Sequence, residues 1–380
     1  MRRRNVLVMI SPMSAPRAVG IARYAREHDW NLMIQDRLGH HPLAWNGDGV
    51  IATLRSDPVS FGCIAKMMKR GLPVVDLTIS RPDVKMPRVT SDHEAIGRLA
   101  AEHFLERDFS SAAWFSTGWG NVHALRFKGL ADAFPSPAEK WVASEELPVR
   151  RQNDWASFTS WVSRRFAAAP KPLAVLTYDE ADAARLLNAA LELGIAVPEE
   201  LAILSIGDNA TICENQTVPL SSIDQNLERG GYEGAALLDR LMDGKVSAAE
   251  KRRPVLIPPA RVVMRRSTDV TAVADPTVRK AVEFINTNMA RPIGAPQIAD
   301  AIGVKRTSLD ALFRSSLNRS VGEEIRRRRM ARAKLILETS SLSVAEIASA
   351  TGYCTPSHLS NAFKAATGLS PRVWRKGLSS

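Results

Sequence analysis

Through the first 266 residues, short runs rich in Val, Ile and Leu alternate with stretches whose apolar residues recur every three or four positions. Val6 to Ile10, Asn31 to Ile34, Gly49 to Thr53, Pro73 to Asp76, Ala112 to Phe115, Leu173 to Thr177 and Leu201 to Ile206 read as strands. Most are apolar almost throughout, as expected of strands covered on both faces. Between them, Glu94 to Glu106 places Ile96, Leu99, Ala100, His103 and Phe104 on one helical face, and Ala181 to Leu193 reads likewise. The alternation predicts α/β architecture, with doubly wound parallel sheets between helices, and strands on both sides of a break near residue 108 predict two lobes.

The pattern changes over Ala260 to Pro276, and the remainder of the chain reads as helical throughout. We divide the chain into a two-lobed α/β part at 1–266, a linker at 267–275 and an all-α domain at 276–380. The last part contains a duplication. Ile298-Ala299-x-x-x-Gly303 with Leu309-x-x-x-Phe313-Arg314 returns as Ile347-Ala348-x-x-x-Gly352 with Leu359-x-x-x-Phe363-Lys364. Each copy reads as a helix-turn-helix unit. Ser343 and Glu346 form a capping box, Leu342 and Ile347 a hydrophobic staple, Thr355-Pro356 opens the next helix and Gly368 ends it. In the first copy Lys305 stands where a capping hydroxyl is preferred. Between the copies, Val321 to Glu338 predicts one helix roughly 27 Å long at ~1.5 Å per residue, enough to set two units about one DNA turn apart.

Charge sharpens this picture. The chain carries +11 overall, and the residues from Asp275 onward hold 17 basic against 8 acidic side chains, which is +9 of that excess. This excess implies an anionic partner for the small domain. On the recognition helices, Arg306, Thr307, Asp310, Ala311 and Arg314 in the first copy and Ser357, His358, Ser360, Asn361 and Lys364 in the second can face double-stranded DNA. Asn361 is the best candidate for reading a base edge, because an amide pairs with adenine bidentately. Lys305, Arg306, Arg314, Lys364 and Arg375 fit phosphate contacts, and Asp310 can equally be a solvent-facing partner of Arg306 or Arg314. Leu309, Phe313, Leu359 and Phe363 are core.

Cys63, Cys213 and Cys354 are scattered, as reduced structural thiols would be, and His40-His41 lacks a third ligand, so no metal or cofactor is expected. No apolar run approaches the ~20 residues of a membrane span, and the basic start runs too soon into Ser11-Pro12 for a signal peptide, which points to a cytoplasmic protein. Phosphate-loop, nucleophile-elbow, zinc-protease and dinucleotide signatures are absent, and nothing supports an enzyme.

The duplicated domain resembles the AraC/XylS-type DNA-binding domain, whose second-unit signature is met by Ile347 to Arg375, with Tyr353 and Leu359 in its aromatic places and Asn318 replacing a usual glycine. The large part resembles LacI/GalR-type regulators and periplasmic sugar-binding proteins. The resemblance rests on an ordered series: Trp45 to Ala52, Val89 to Asp92, Arg126 to Leu130, Leu176 to Asp179, Val197 to Leu201, Ser205 to Asn209 and Leu220 to Gln225. It implies effector contacts at Asp92, Arg126, Tyr178, Asp208 and Gln225, which suit paired hydrogen bonding to sugar hydroxyls. Asp92 can instead be a helix N-cap, and for Asp179 that role is preferred. Arg126 and Asp208 can neutralise each other without ligand. Trp45, Trp114 or Trp119 can stack on a sugar ring. The Gly207-Asp208 order displaces the glycine of the family pattern, leaving the backbone course there open.

A LacI-like sensor ahead of an AraC-type reader resembles the bacterial xylose operon regulators, as does the joining tract Leu256 to Asp269. This implies a transcription regulator with D-xylose or a related pentose as effector, a homodimer joined through the sensor, and RNA polymerase as a further partner if the protein activates. The competing readings are a sugar-binding protein of transport and a regulator answering a non-sugar molecule.

Overall fold

The computed structural model describes residues 3–10, 14–35, 45–54, 58–270, 272 and 275–378. His40-His41 and Ser11-Pro12 lie outside the described residues. The chain forms two compact units, Met1–Val270 and Thr271–Ser380.

The first unit contains two sheets. In lobe one, β1 (Arg4–Met9), β2 (Trp30–Gln35), β3 (Gly49–Ala52) and β4 (Val74–Asp76) run parallel in the order β2-β1-β3-β4, and β5 (Val89–Ser91) joins through a bridge from Asp76 to Arg88. In lobe two, β6 (Ser111–Ser116), β7 (Glu139–Val142), β8 (Leu173–Thr177), β9 (Leu201–Ile206) and β10 (Ser221–Asp224) are parallel. The chain then returns to lobe one, where β11 (Val255–Ile257) pairs with β5, and crosses again so that β12 (Arg261–Val263) closes the second sheet antiparallel to β10. Every residue of β3, β8 and β9 is buried, as their apolar composition requires.

Glycines set how closely the covering helices approach. Ala15–Glu27 crosses Leu227–Met242 in lobe one at Gly20 and Gly231, where an added Cβ would lie 1.9 Å from the Glu228 carbonyl oxygen and 2.2 Å from that of Arg17. In lobe two His93–Leu105 and Asn121–Ala133 meet at Gly97 and Gly129, with corresponding distances of 2.2 Å to the Arg126 oxygen and 2.1 Å to the Glu94 oxygen. That crossing brings Arg126, one turn before Gly129, over His93, one turn before Gly97.

The sensor's packing continues past residue 266. Ser267 and Thr268, which the sequence reading assigns to the linker, are fully buried. Ser267 accepts from the Ser221 N–H at 2.9 Å and donates to the Ile203 carbonyl at 2.6 Å, while Thr268 donates to Ser221 Oγ at 2.7 Å and meets His103 Nε2 at 2.9 Å. Their polarity imitates a linker, but their hydroxyls satisfy buried groups.

The second unit holds seven helices among the described residues: Pro276–Asn288, Ala295–Ile302, Arg306–Leu317, Val321–Thr339, Val344–Ala350, Pro356–Thr367 and Pro371–Leu378. Ser320 and Ser343 each make capping boxes with Glu323 and Glu346, and Thr355 caps its helix through the His358 N–H at 3.1 Å. Lys305 has no side-chain cap. Asn318 ends its helix at φ +53°, the left-handed conformation it shares with glycine.

Candidate ligand site and nucleic-acid interface

The first unit's polar residues collect where parallel strands end, the usual place for a ligand in open α/β sheets. Asp92 follows β5, Tyr178 follows β8, Asp208 lies two residues beyond β9 and Gln225 follows β10. Arg126 is 5% exposed, and its guanidinium organises the cluster. Nη1 donates to the Tyr178 carbonyl at 2.6 Å, Nη2 to Gln225 Oε1 at 2.7 Å and Nε to His93 Nδ1 at 3.3 Å. Its carbon centre lies 4.9 Å from the Tyr178 ring centroid. The His123 ring stacks on that of Tyr178, 3.9 Å away and 10° from parallel.

Electrostatics follow from this burial. Desolvation, reinforced by the positive charges of Arg126 and Arg17, pushes His93 down to about 2, and it accepts from Arg126 as a neutral ring. Burial and Arg126 lower His123 to about 4. His123 Nδ1 is buried without a hydrogen-bond partner among the described residues. Arg17, in the first turn of the helix after β1, is held down to about 10 by burial, against the opposing pull of Asp76. Asp76 is itself engaged by Arg88 at 2.9 Å and the Leu54 N–H at 2.9 Å.

The structure thus brings Arg126, Tyr178 and Gln225 together and adds His93 and His123, which sequence reasoning missed. A signal existed: His93 adjoins Asp92 and His123 precedes Arg126 by three residues on one helical face. Asp92 caps the His93–Leu105 helix through the Ala95 N–H at 2.9 Å, and Asp179 caps the next helix through the Asp182 N–H at 2.9 Å. The anticipated Arg126–Asp208 pair is replaced by another. Asp208 binds Arg265 Nη1 at 2.8 Å, because the returning chain beside β12 places that arginine nearer. Gly207 and Asp208 both take positive φ, +137° and +56°, and Glu180 Oε1 would lie 2.4 Å from a Cβ at Gly207. Trp114 is fully buried with Nε1 donating to Ser116 Oγ at 3.0 Å, and Trp45 packs against the lobe-one core. Trp119 is half-buried 6.0 Å from His123, and the stacked Tyr178 and His123 rings lie beside Arg126.

In the second unit, Lys305, Arg306, Thr307, Ala311 and Arg314 are exposed, as are Ser357, His358, Asn361 and Lys364, while Asp310 and Ser360 are half-buried. Asp310 faces Arg306 at 3.9 Å. Leu309, Phe313, Leu359 and Phe363 are fully buried. The basic excess is only partly a surface property. Glu324, fully buried, gathers Arg319 at 2.9 Å and Arg327 at 2.8 Å together with Arg328, whose Nη1 also donates to Asn286 at 3.0 Å. Arg375, expected to contact phosphate, donates to the carbonyls of Leu337 and Leu342. Cys63 and Cys213 are buried, but Cys354 is exposed and so is not a core thiol. No described helix is long and apolar enough to cross a membrane, and no three His, Cys, Asp or Glu residues among the described ones gather as metal ligands.

Comparison with known proteins matches a periplasmic binding protein-like domain at residues 101–268 and a helix-turn-helix domain at 298–377. The xylose operon regulatory protein of Haemophilus influenzae is 27% identical over 370 residues, covering 94% of this chain and 93% of the relative. That of Escherichia coli K12 is 26% identical over 378 residues, covering 94% and 92%. The chain is a DNA-binding transcription regulator built like the xylose operon regulatory proteins. The solved structure of the xylose-binding transcription activator xylR shares the regulator's fold at a TM-score of 0.61 and 23% identity, covering 99% of both chains. A cellobiose complex of the regulator CelR matches over 70% of this chain and 85% of its own, with a TM-score of 0.54 and 20% identity. The α/β sensor and the helical reader are thus both accounted for, and no enzymatic role is needed.

Proposed function

We propose that this regulator controls genes of pentose catabolism, with D-xylose or a related pentose bound between the sensor lobes. The observation that carries the reading is the likeness to xylose operon regulatory proteins over 94% of the chain, which includes the Arg126 cluster. Arg126 and Gln225 hold sugar hydroxyls, Tyr178 and His123 form the wall against the ring, and His123 Nδ1 gains the partner that it lacks among the described residues. Asp92 uses the oxygen not committed to its cap, and Asp208 exchanges its bond to Arg265 for one to the ligand. Buried polar groups that are satisfied only by the correct sugar discriminate strongly among related ones.

In the second unit Asn361 reads a base edge, with Thr307, Asp310, Ser357, His358 and Ser360 as further groove-facing residues. Lys305, Arg306, Arg314 and Lys364 neutralise phosphates. The regulator works in the cytoplasm as a homodimer joined through the sensor, and contacts RNA polymerase where it activates. A thermal-shift screen over pentoses and hexoses tests the effector. At a hundred times its Kd a ligand adds about 2.7 kcal/mol, which raises the sensor's Tm by about 5–10 °C. Absence of a shift with every pentose overturns the assignment.

A further inference from the structure

The two helix-turn-helix copies have separate cores that share one helix. Val321 and Ile325 of Val321–Thr339 belong to the first core, and Ala333, Ile336 and Leu337 to the second. Arg329 lies midway, one turn from Ile325 and one from Ala333. Its Nε donates to the Met289 carbonyl at 3.1 Å and its Nη2 to the Arg291 carbonyl at 2.8 Å, both just beyond the leading helix of the first copy. Gly352, the turn glycine of the second copy, packs on the same contact. It holds φ +73°, and a Cβ there would lie 2.1 Å from the Met289 oxygen and 2.7 Å from Arg329 Nη2. The next residue, Tyr353, belongs to the second core, and its ring meets His358 of the second recognition helix edge-on at 5.2 Å. The contacts therefore run without a break from the first copy, through Arg329, to a DNA-facing residue of the second. The Glu324 cluster is tied to Arg319, Asn286 and the connecting helix.

We propose that Arg329, with Gly352 packed upon it, is a positioning residue that fixes the distance and rotational phase between the two recognition helices. It thereby sets which half-site separation the regulator accepts. The inference rests on the reading that both copies enter DNA. Each inserted base pair moves a half-site by about 3.4 Å and turns it by about 35°, so a rigid protein is penalised where a loosely joined one follows. The shared helix alone leaves the second copy free to pivot about its axis, and the Arg329 contact restrains that pivot.

The test uses the full chain and duplexes enriched by it from a random library. Affinities are measured on the selected duplex, on versions with one or two base pairs added between the halves, and on a duplex carrying one half. The wild type loses at least about tenfold on a single insertion. Arg329→Ala loses less than about threefold there, while matching the wild type on one half within about twofold. Arg329→Lys, which reaches one carbonyl, falls between and serves if the alanine variant does not fold. An Arg329→Ala or Arg329→Lys penalty equal to the wild type's overturns the proposal. A wild type indifferent to insertion refutes the two-copy reading itself, which is a distinguishable failure.

Discussion

Replacing Arg126 with methionine keeps most of the apolar stem and removes the guanidinium around which the sensor's polar cluster is built. The side chain is buried, and burial lowers its pKa, so its charge already costs the native state something. What the substitution takes away are the bonds to the Tyr178 carbonyl at 2.6 Å, Gln225 Oε1 at 2.7 Å and His93 Nδ1 at 3.3 Å. Gln225 and Tyr178 are only half-buried and can turn to water, which leaves the buried His93 Nδ1 as the main orphan. An unsatisfied buried acceptor costs about 1–3 kcal/mol, and the relief of desolvation offsets part of it. The net loss of about 1–2 kcal/mol lowers the Tm of a unit this size by about 2–8 °C. Effector binding falls further in proportion. A hydrogen bond to a charged group contributes about 1.5–3 kcal/mol, so Kd rises about 10- to 150-fold. Calorimetric titration of D-xylose into folded wild type and variant, with Tm recorded in parallel, separates the two effects. Unchanged sugar affinity in a folded Arg126→Met protein would refute the placement of the effector.

On the DNA side, Asn361→Ala relaxes discrimination at one base position, whereas Lys364→Ala weakens selected and random duplexes alike and flattens the salt slope by about one unit; competition binding at several salt concentrations checks both, and equal effects on all duplexes refute the division. Gly129→Ala places a Cβ 2.1 Å from the Glu94 oxygen, so the helices carrying Arg126 and His93 move apart; denaturant unfolding shows a loss of about 1–3 kcal/mol, and a neutral result contradicts the close crossing. Acidification tests the buried neutral histidines. His93 and His103 are both driven by burial well below the ordinary histidine range. Their unfolded forms take up protons first as pH falls below ~6.5, so the stability they confer is present above that pH and declines by up to about 1.4 kcal/mol per histidine per pH unit below it. Sensor stability that stays flat from pH 7.5 to about 5.5 contradicts their neutral burial.

Much of this was legible because local chemistry and tertiary role coincide. The wholly apolar β3, β8 and β9 announce buried parallel strands, and Ser343, Thr355 and Asn318 mark helix ends that they also make. The passages that were not legible obey distant partners. The strand Ser221-Ser222-Ile223-Asp224 looks like loop, yet two of its polar groups bond the Arg265 to Thr268 segment some 45 residues away. The return of Leu227–Met242 to lobe one depends on the Gly20 and Gly231 crossing, which no periodicity displays. Arg126, Tyr178 and Gln225 were identifiable because they follow or adjoin readable elements. The Arg265 partner of Asp208 was not, because chain crossing, rather than residue type, decides which arginine arrives there. Charge misled in the same manner: Arg319, Arg327, Arg328 and Arg329 count toward the basic excess but are engaged by Glu324 or by the Met289 and Arg291 carbonyls.

The regulatory account requires that sugar bind the DNA-competent and incompetent states with different free energies. The direct measurement is the affinity of the full chain for its selected operator duplex, by fluorescence anisotropy, without and with saturating D-xylose. A coupling of about 1–3 kcal/mol, a 5- to 150-fold change in Kd, is predicted, with the reciprocal change in sugar affinity when operator is present. An operator Kd that saturating D-xylose leaves unchanged contradicts the account.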